Sequence, residues 1–139
     1  MLNPSTLHHV GYVVASIADS MPGFAAVLGG APFSPTIEDE IQRVRVAFLG
    51  VAGQPQIELI EPATSDSPVR KFLESGGGLH HLCYELENIE EELARQQKLG
   101  GVVIRRPRPA RAFDGRRIAW IVTKQNLLIE LLERTKPEA

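Results

Sequence analysis

A chain of 139 residues and 15.3 kDa, with 43% hydrophobic and 23% charged residues, has the balance of one soluble globular domain. That composition excludes a disordered or collagen-like chain, and no apolar run approaches the ~20 residues of a membrane-spanning helix. A net charge of −2 with 6% aromatic residues gives no electrostatic or stacking case for nucleic acid or an anionic membrane as partner. The opening MLNPSTLHHV lacks the basic and apolar regions of a signal peptide. Lone Cys83 can form no internal disulfide, so a reducing cytoplasm is the expected compartment.

The predicted elements begin with a β-branched and aromatic strand near Leu7–Val14. A helix follows near Asp19–Leu28, with Pro22 close to its start and Gly29-Gly30 as its stop. Three strands are expected next, at Phe33–Ile37, Gln42–Leu49 and Gln56–Glu61. A linker of about residues 63–77 carries the turn signal Asp66-Ser67-Pro68 and a short helix around Val69–Glu74. Gly76-Gly77-Gly78 precedes a strand and not a helix, so it reads as a hinge-like connection and not a phosphate loop. The order then starts again. A strand at Leu79–Leu86 leads to a helix at Ile89–Leu99, with Asn88 as N-cap, Glu91 three residues later and Gly100-Gly101 as stop. Strands at Val102–Arg106, Arg116–Val122 and Leu127–Glu133 complete it.

The second half repeats the first in sequence as well as in order. Leu7-His8-His9-Val10-Gly11-Tyr12 matches Leu79-His80-His81-Leu82-Cys83-Tyr84, and Ile57-Glu58-Leu59-Ile60-Glu61 matches Ile129-Glu130-Leu131-Leu132-Glu133. Both matches lie at one offset of 72 positions. One domain, 1–139, is therefore expected to hold two β-α-β-β-β modules of α+β class, at about 5–62 and 78–134. A ~70-residue module buries too little surface to stand alone, so the halves must pack on each other or on another subunit.

Strand side chains alternate between faces. Ile57 and Leu59 share the face that should meet a helix, which leaves Glu58 opposite; Ile129 and Leu131 likewise oppose Glu130. A buried carboxylate needs a partner. If a pseudo-twofold relates the repeats, His9, Glu58, His81 and Glu130 converge. Two neutral imidazoles and two carboxylates neutralise one divalent cation and suit cobalt, nickel, zinc, manganese or iron(II). Singly, each residue could instead be a core histidine or a glutamate paired with arginine; the shared offset favours the metal. His8 and His80, one position earlier, fall on the opposite face as structural or supporting residues. Cys83 shares the His81 face as a buried thiol, and Trp120 reads as core.

Six arginines (105, 106, 108, 111, 116 and 117) crowd one segment in which Pro107 and Pro109 enforce an extended or looped course. They read either as a solvated surface or as a clamp for a carboxylate or for coenzyme A phosphates.

The segments LHHVGYVV, VRVAFLG, QIELIEPATSDSPVRKFLESGGGLHHLCYEL, FDGRRIAWI and LLIELLE resemble the vicinal-oxygen-chelate (glyoxalase/bleomycin-resistance/dioxygenase) superfamily over nearly the whole chain. Within it, the sequence most resembles the methylmalonyl-CoA epimerases. That resemblance implies paired βαβββ modules forming a cupped mixed sheet around a divalent metal, in a homodimer, with His9, Glu58, His81 and Glu130 as ligands. It implies epimerisation of methylmalonyl-CoA or a related 2-methyl acyl-CoA through an enolate, with Glu130 as one catalytic base. Some epimerases carry a second glutamate where Val46 stands here, which directs attention to Glu38, Asp39 and Glu40. Alternatives are a glyoxalase-type isomerase or lyase on another small substrate, or a drug-sequestering protein of the same fold. Tyr12-Val13-Val14, where glyoxalase I usually has an arginine, speaks against glutathione, and the filled Glu58 position speaks against an iron dioxygenase.

Overall fold

The computed structural model describes residues 5–29, 31–32, 34–51 and 53–135. The chain divides into two compact units, one of residues His9–His80 and one of the chain from His81 onward together with residues 1–8. Among the described residues no helix is long and apolar enough to cross a membrane. Both units are built from strands and one principal helix, an α+β architecture.

In the first unit, β1 (Thr6–Val13), β4 (Val44–Gly50) and β5 (Gln56–Pro62) carry the sheet, with β2 (Ala31–Pro32) and β3 (Ile37–Asp39) both laid antiparallel on β4. The strand order is β2-β4-β5-β1, and β1 runs parallel to β5. The sequence suggests one strand over Phe33–Ile37; residues 34–36 are instead irregular between β2 and β3, and Phe33 lies outside the described residues. α1 (Ile17–Leu28) connects the parallel pair. It begins two residues earlier than expected because the Ser16 hydroxyl caps it, accepting from the Asp19 amide at 3.1 Å. Pro22 therefore falls in the second turn, where it is exposed. Gly29, at φ 69°, ends the helix with its amide on the Ala25 carbonyl. The inner face of α1 sets Ile17, Met21 and Phe24 against Ile57, Leu59 and Ala47. A short helix α2 (Arg70–Glu74) leads to Gly77, whose φ is 68° and where any Cβ would come within 2.8 Å of the Val13 carbonyl oxygen. That approach admits only glycine.

In the second unit, β6 (Gly78–Leu86), β7 (Val102–Pro109), β8 (Arg117–Val122) and β9 (Leu128–Glu133) form the order β6-β9-β8-β7, with β6 parallel to β9. α3 (Ile89–Lys98) starts at Asn88, whose side chain accepts from the Glu91 amide at 3.0 Å, and has Glu90, Glu91 and Glu92 in its first turn and Arg95 and Lys98 in its last. Its apolar face packs Ile89 and Leu93 on Leu86, Ala119, Ile121, Ile129 and Leu131. β7 runs through Pro107 to Pro109, three residues further than expected, because it lies at the end of the strand order, where missing amides cost no ladder hydrogen bond.

The two registers are copies. Gly11 faces Glu58 and Cys83 faces Glu130 in the parallel pairs; Phe48 faces Glu58 and Trp120 faces Glu130 in the antiparallel ones. Each member of these pairs lies 72 positions from its counterpart.

Candidate metal centre

In the first unit, β1 delivers His9 and β5 delivers Glu58. Gly11 is the register partner of Glu58, so His9, two residues before it, shares that face. His9 is fully buried and Glu58 is 5% exposed. The His9 Nε2 lies 3.4 Å from Glu58 Oε1. Phe48, opposite Glu58 on β4, sets its ring edge-to-face with His9 at 5.7 Å. In the second unit β6 and β9 do the same. His81 and Glu130 are both buried, with His81 Nε2 3.3 Å from Glu130 Oε1, and Trp120 stands edge-on to His81 at 4.6 Å.

These separations suit co-ligands of an ion as well as an ion pair. A charge-assisted N–H···O⁻ bond closes to about 2.7–2.9 Å. Two atoms each ~2.1 Å from one ion stand about 3.0–3.4 Å apart, across an octahedral or tetrahedral edge. Both pairs fall at the second spacing. The donors are an imidazole nitrogen and a carboxylate oxygen in each unit, buried and available to a borderline divalent ion. The residues fit such an ion.

The remaining sequence-selected residues are placed as follows. His8 stacks edge-on to Phe113 at 5.5 Å and His80 to Phe72 at 4.9 Å, away from the glutamates. Cys83 is buried as the register partner of Glu130. Glu61 accepts from the Ile17 amide and from Arg45 Nη2, both at 3.4 Å, which ties α1 to β5. Val46 is buried two residues from Phe48 and on its face. Of the three nearby acids, Glu38 is exposed and meets Arg45 at 3.5 Å, and Glu40 is exposed. Asp39 is buried with its two oxygens accepting from the Gln42 amide and side chain. Asp39 thus closes the β3–β4 turn.

The arginine segment does not act as one group. Arg116 binds Glu85 at 2.7 Å, and Arg117 bridges Glu90 at 2.7 Å and Glu133 at 3.0 Å. Arg117 holds the Glu90 carboxyl below its ordinary value by hydrogen bonding. Sequence reasoning missed Phe48 and Trp120. Trp120 is half-buried against a histidine and is not simply core. The signal was present: the two aromatics sit at the same 72-residue offset as the histidines and glutamates.

The sequence profile of the glyoxalase/bleomycin resistance protein/dioxygenase superfamily matches residues 8–120. The chain belongs to this superfamily. It is 39% identical over 131 residues to the uncharacterised protein YqjC of Bacillus subtilis, covering 91% of each chain. It is 30% identical over 129 residues to the ethylmalonyl-CoA/methylmalonyl-CoA epimerase of Cereibacter sphaeroides, covering 90% of this chain and 95% of that one. The structure of a single-substitution variant of Streptomyces coelicolor methylmalonyl-CoA epimerase in complex with 2-nitronate-propionyl-CoA superposes with a TM-score of 0.80 at 26% identity, covering 94% of this chain and 97% of that one. Superfamily membership accounts for the doubled βαβββ order and for the repetition of one register in both units.

Proposed function

We propose that this protein is a divalent-metal-dependent isomerase, an epimerase of methylmalonyl-CoA or a related 2-methyl acyl-CoA, acting as a cytoplasmic homodimer. His9, Glu58, His81 and Glu130 are the ligands of one ion in this reading. The observation that carries it is the duplicated His–Glu pair, buried in each unit at 3.4 and 3.3 Å, together with the similarity to epimerases of this substrate class. A bound divalent ion would supply positive charge where negative charge develops on the substrate's carbonyl oxygen.

The chain's own residues supply the rest. Glu130 removes the proton from the carbon alpha to the carbonyl, and a second proton carrier returns one on the opposite face. Phe48 and Trp120 fix the imidazoles from the side, so that each Nε2 keeps its direction. Val46, and Ile118 at the matched position of the second unit, are aliphatic and buried, and they keep water from competing with substrate on those faces.

The test is solvent-deuterium uptake at the alpha carbon of methylmalonyl-CoA, with cobalt added and again after chelation. Rapid uptake that chelation abolishes is expected; no uptake with metal demonstrably bound overturns the reading. Val46 itself favours a second reading, a glyoxalase-type isomerase or lyase that works with a single carboxylate base on another small substrate. Exchange confined to one enantiomer would select it.

A further inference from the structure

We infer that Arg105 and Arg108 form an anion clamp for the phosphate-bearing end of the acyl-CoA, a role that rests on the epimerase reading above. Its basis is the irregular register of β7. Arg105 faces Trp120, and Trp120 faces Glu130; Arg108 faces Ile118, and Ile118 faces Leu132. Between those two points β7 advances three residues while β8 advances two, so Arg106 and Pro107 together oppose Ala119. Such a bulge re-aims side chains. Without it, residues 105 and 108 would point to opposite faces. With it, both arginines side with the row of Trp120 and Glu130, while Arg106 and Pro107 turn toward α3 beside Leu93, Gln97 and Arg117.

Both arginines are exposed, and among the described residues neither has an acidic partner, in contrast to Arg116 and Arg117. In a chain of net charge −2, two free guanidinium groups on one face of an outer strand are an unmatched positive site. β7 lies two strand spacings from β9, roughly 10 Å. An acyl-CoA centred on Glu130 would lay its pantetheine arm across this distance, so that its phosphates fall at the outer strand where the two arginines stand. Arginine binds phosphates bidentately. Pro107 and Pro109 hold the strand extended and remove amides, so the edge is kept for a ligand and not for another strand.

The experiment titrates free coenzyme A into wild type, Arg105→Gln/Arg108→Gln and, as a loss of surface charge outside the clamp, Arg111→Gln. Deuterium exchange is followed on methylmalonyl-CoA and on the phosphate-free methylmalonyl thioester of pantetheine. The double variant is expected to raise the Kd for coenzyme A and the KM for methylmalonyl-CoA roughly 10- to 100-fold. The pantetheine thioester should lose no more than it does in Arg111→Gln. Equal coenzyme A binding by variant and wild type, or none by a wild type that exchanges deuterium, overturns the clamp and leaves the epimerase reading standing. An equal loss on the pantetheine thioester also overturns it, by assigning the arginines to the acyl carboxylate. Absence of exchange from either thioester with metal bound overturns the epimerase reading instead, and the coenzyme A titration then decides the clamp by itself.

Discussion

The two units differ least around their buried His–Glu pairs and most at their outer strands. His9 and His81 stand at one offset with Glu58 and Glu130, and the register partners of the two glutamates correspond at that same offset. The flanking aromatic changes only from Phe48 to Trp120, and the small residue facing the glutamate from Gly11 to Cys83. The outer strands share no such likeness. The first unit breaks its outer strand into β2 and β3, whereas the second keeps a continuous β7 with two register shifts, three arginines and two prolines. In the proposed metal centre a duplicated module retains what one ion requires of both copies, and the clamp proposed on β7 gives that outer strand a separate task.

The sharpest way to break that comparison is to remove one ligand from either unit. His9→Ala and His81→Ala should each weaken metal affinity by more than about 100-fold, because each leaves only three of the four protein donors. Equilibrium dialysis against cobalt measures this, and a large effect in one unit with none in the other would end the equivalence. A second prediction compares cores. Leu59 and Leu131 are matched and fully buried, so Leu59→Ala and Leu131→Ala should each cost about 2–5 kcal/mol in urea unfolding. A third compares the helix starts. Ser16→Ala and Asn88→Ala should each cost about 1 kcal/mol, with α3 retaining more of its structure because three acidic residues remain in its first turn.

The smallest effect is electrostatic and confined to the second unit. Glu90 is depressed below its ordinary value of 4.5 by its hydrogen bonds to Arg117. A depressed carboxylate stabilises the fold above its unfolded pKa and loses that contribution as pH falls through the folded value. The Arg117–Glu90 contact should therefore matter at pH 6 and vanish in the acid limb. Comparing Glu90→Gln with wild type across that range should give a difference under about 1 kcal/mol, since the pair is exposed to solvent. A difference that grows as the pH falls would have the wrong sign.

Much of this was legible in the sequence because period and offset are local signals. The LHH and IEL segments gave the strands, the offset paired the histidines with the glutamates, and Asn88 with Glu91 marked the start of α3. Ser16 escaped as a cap because Pro22 drew the expected helix start to Asp19. What else escaped depended on partners distant in the chain. Trp120 passes for core until β8 is registered against β9, which brings it beside His81. Bulges leave no composition signature, so the faces of Arg105 and Arg108 follow from register alone.

The measurement that bears most directly on the central claim is metal stoichiometry by elemental analysis after cobalt loading and desalting. One ion per chain in wild type, lost completely from His9→Ala and equally from His81→Ala, is the result expected if both His–Glu pairs serve one centre. Two ions per chain, with each variant losing only one, would show two independent sites and contradict it.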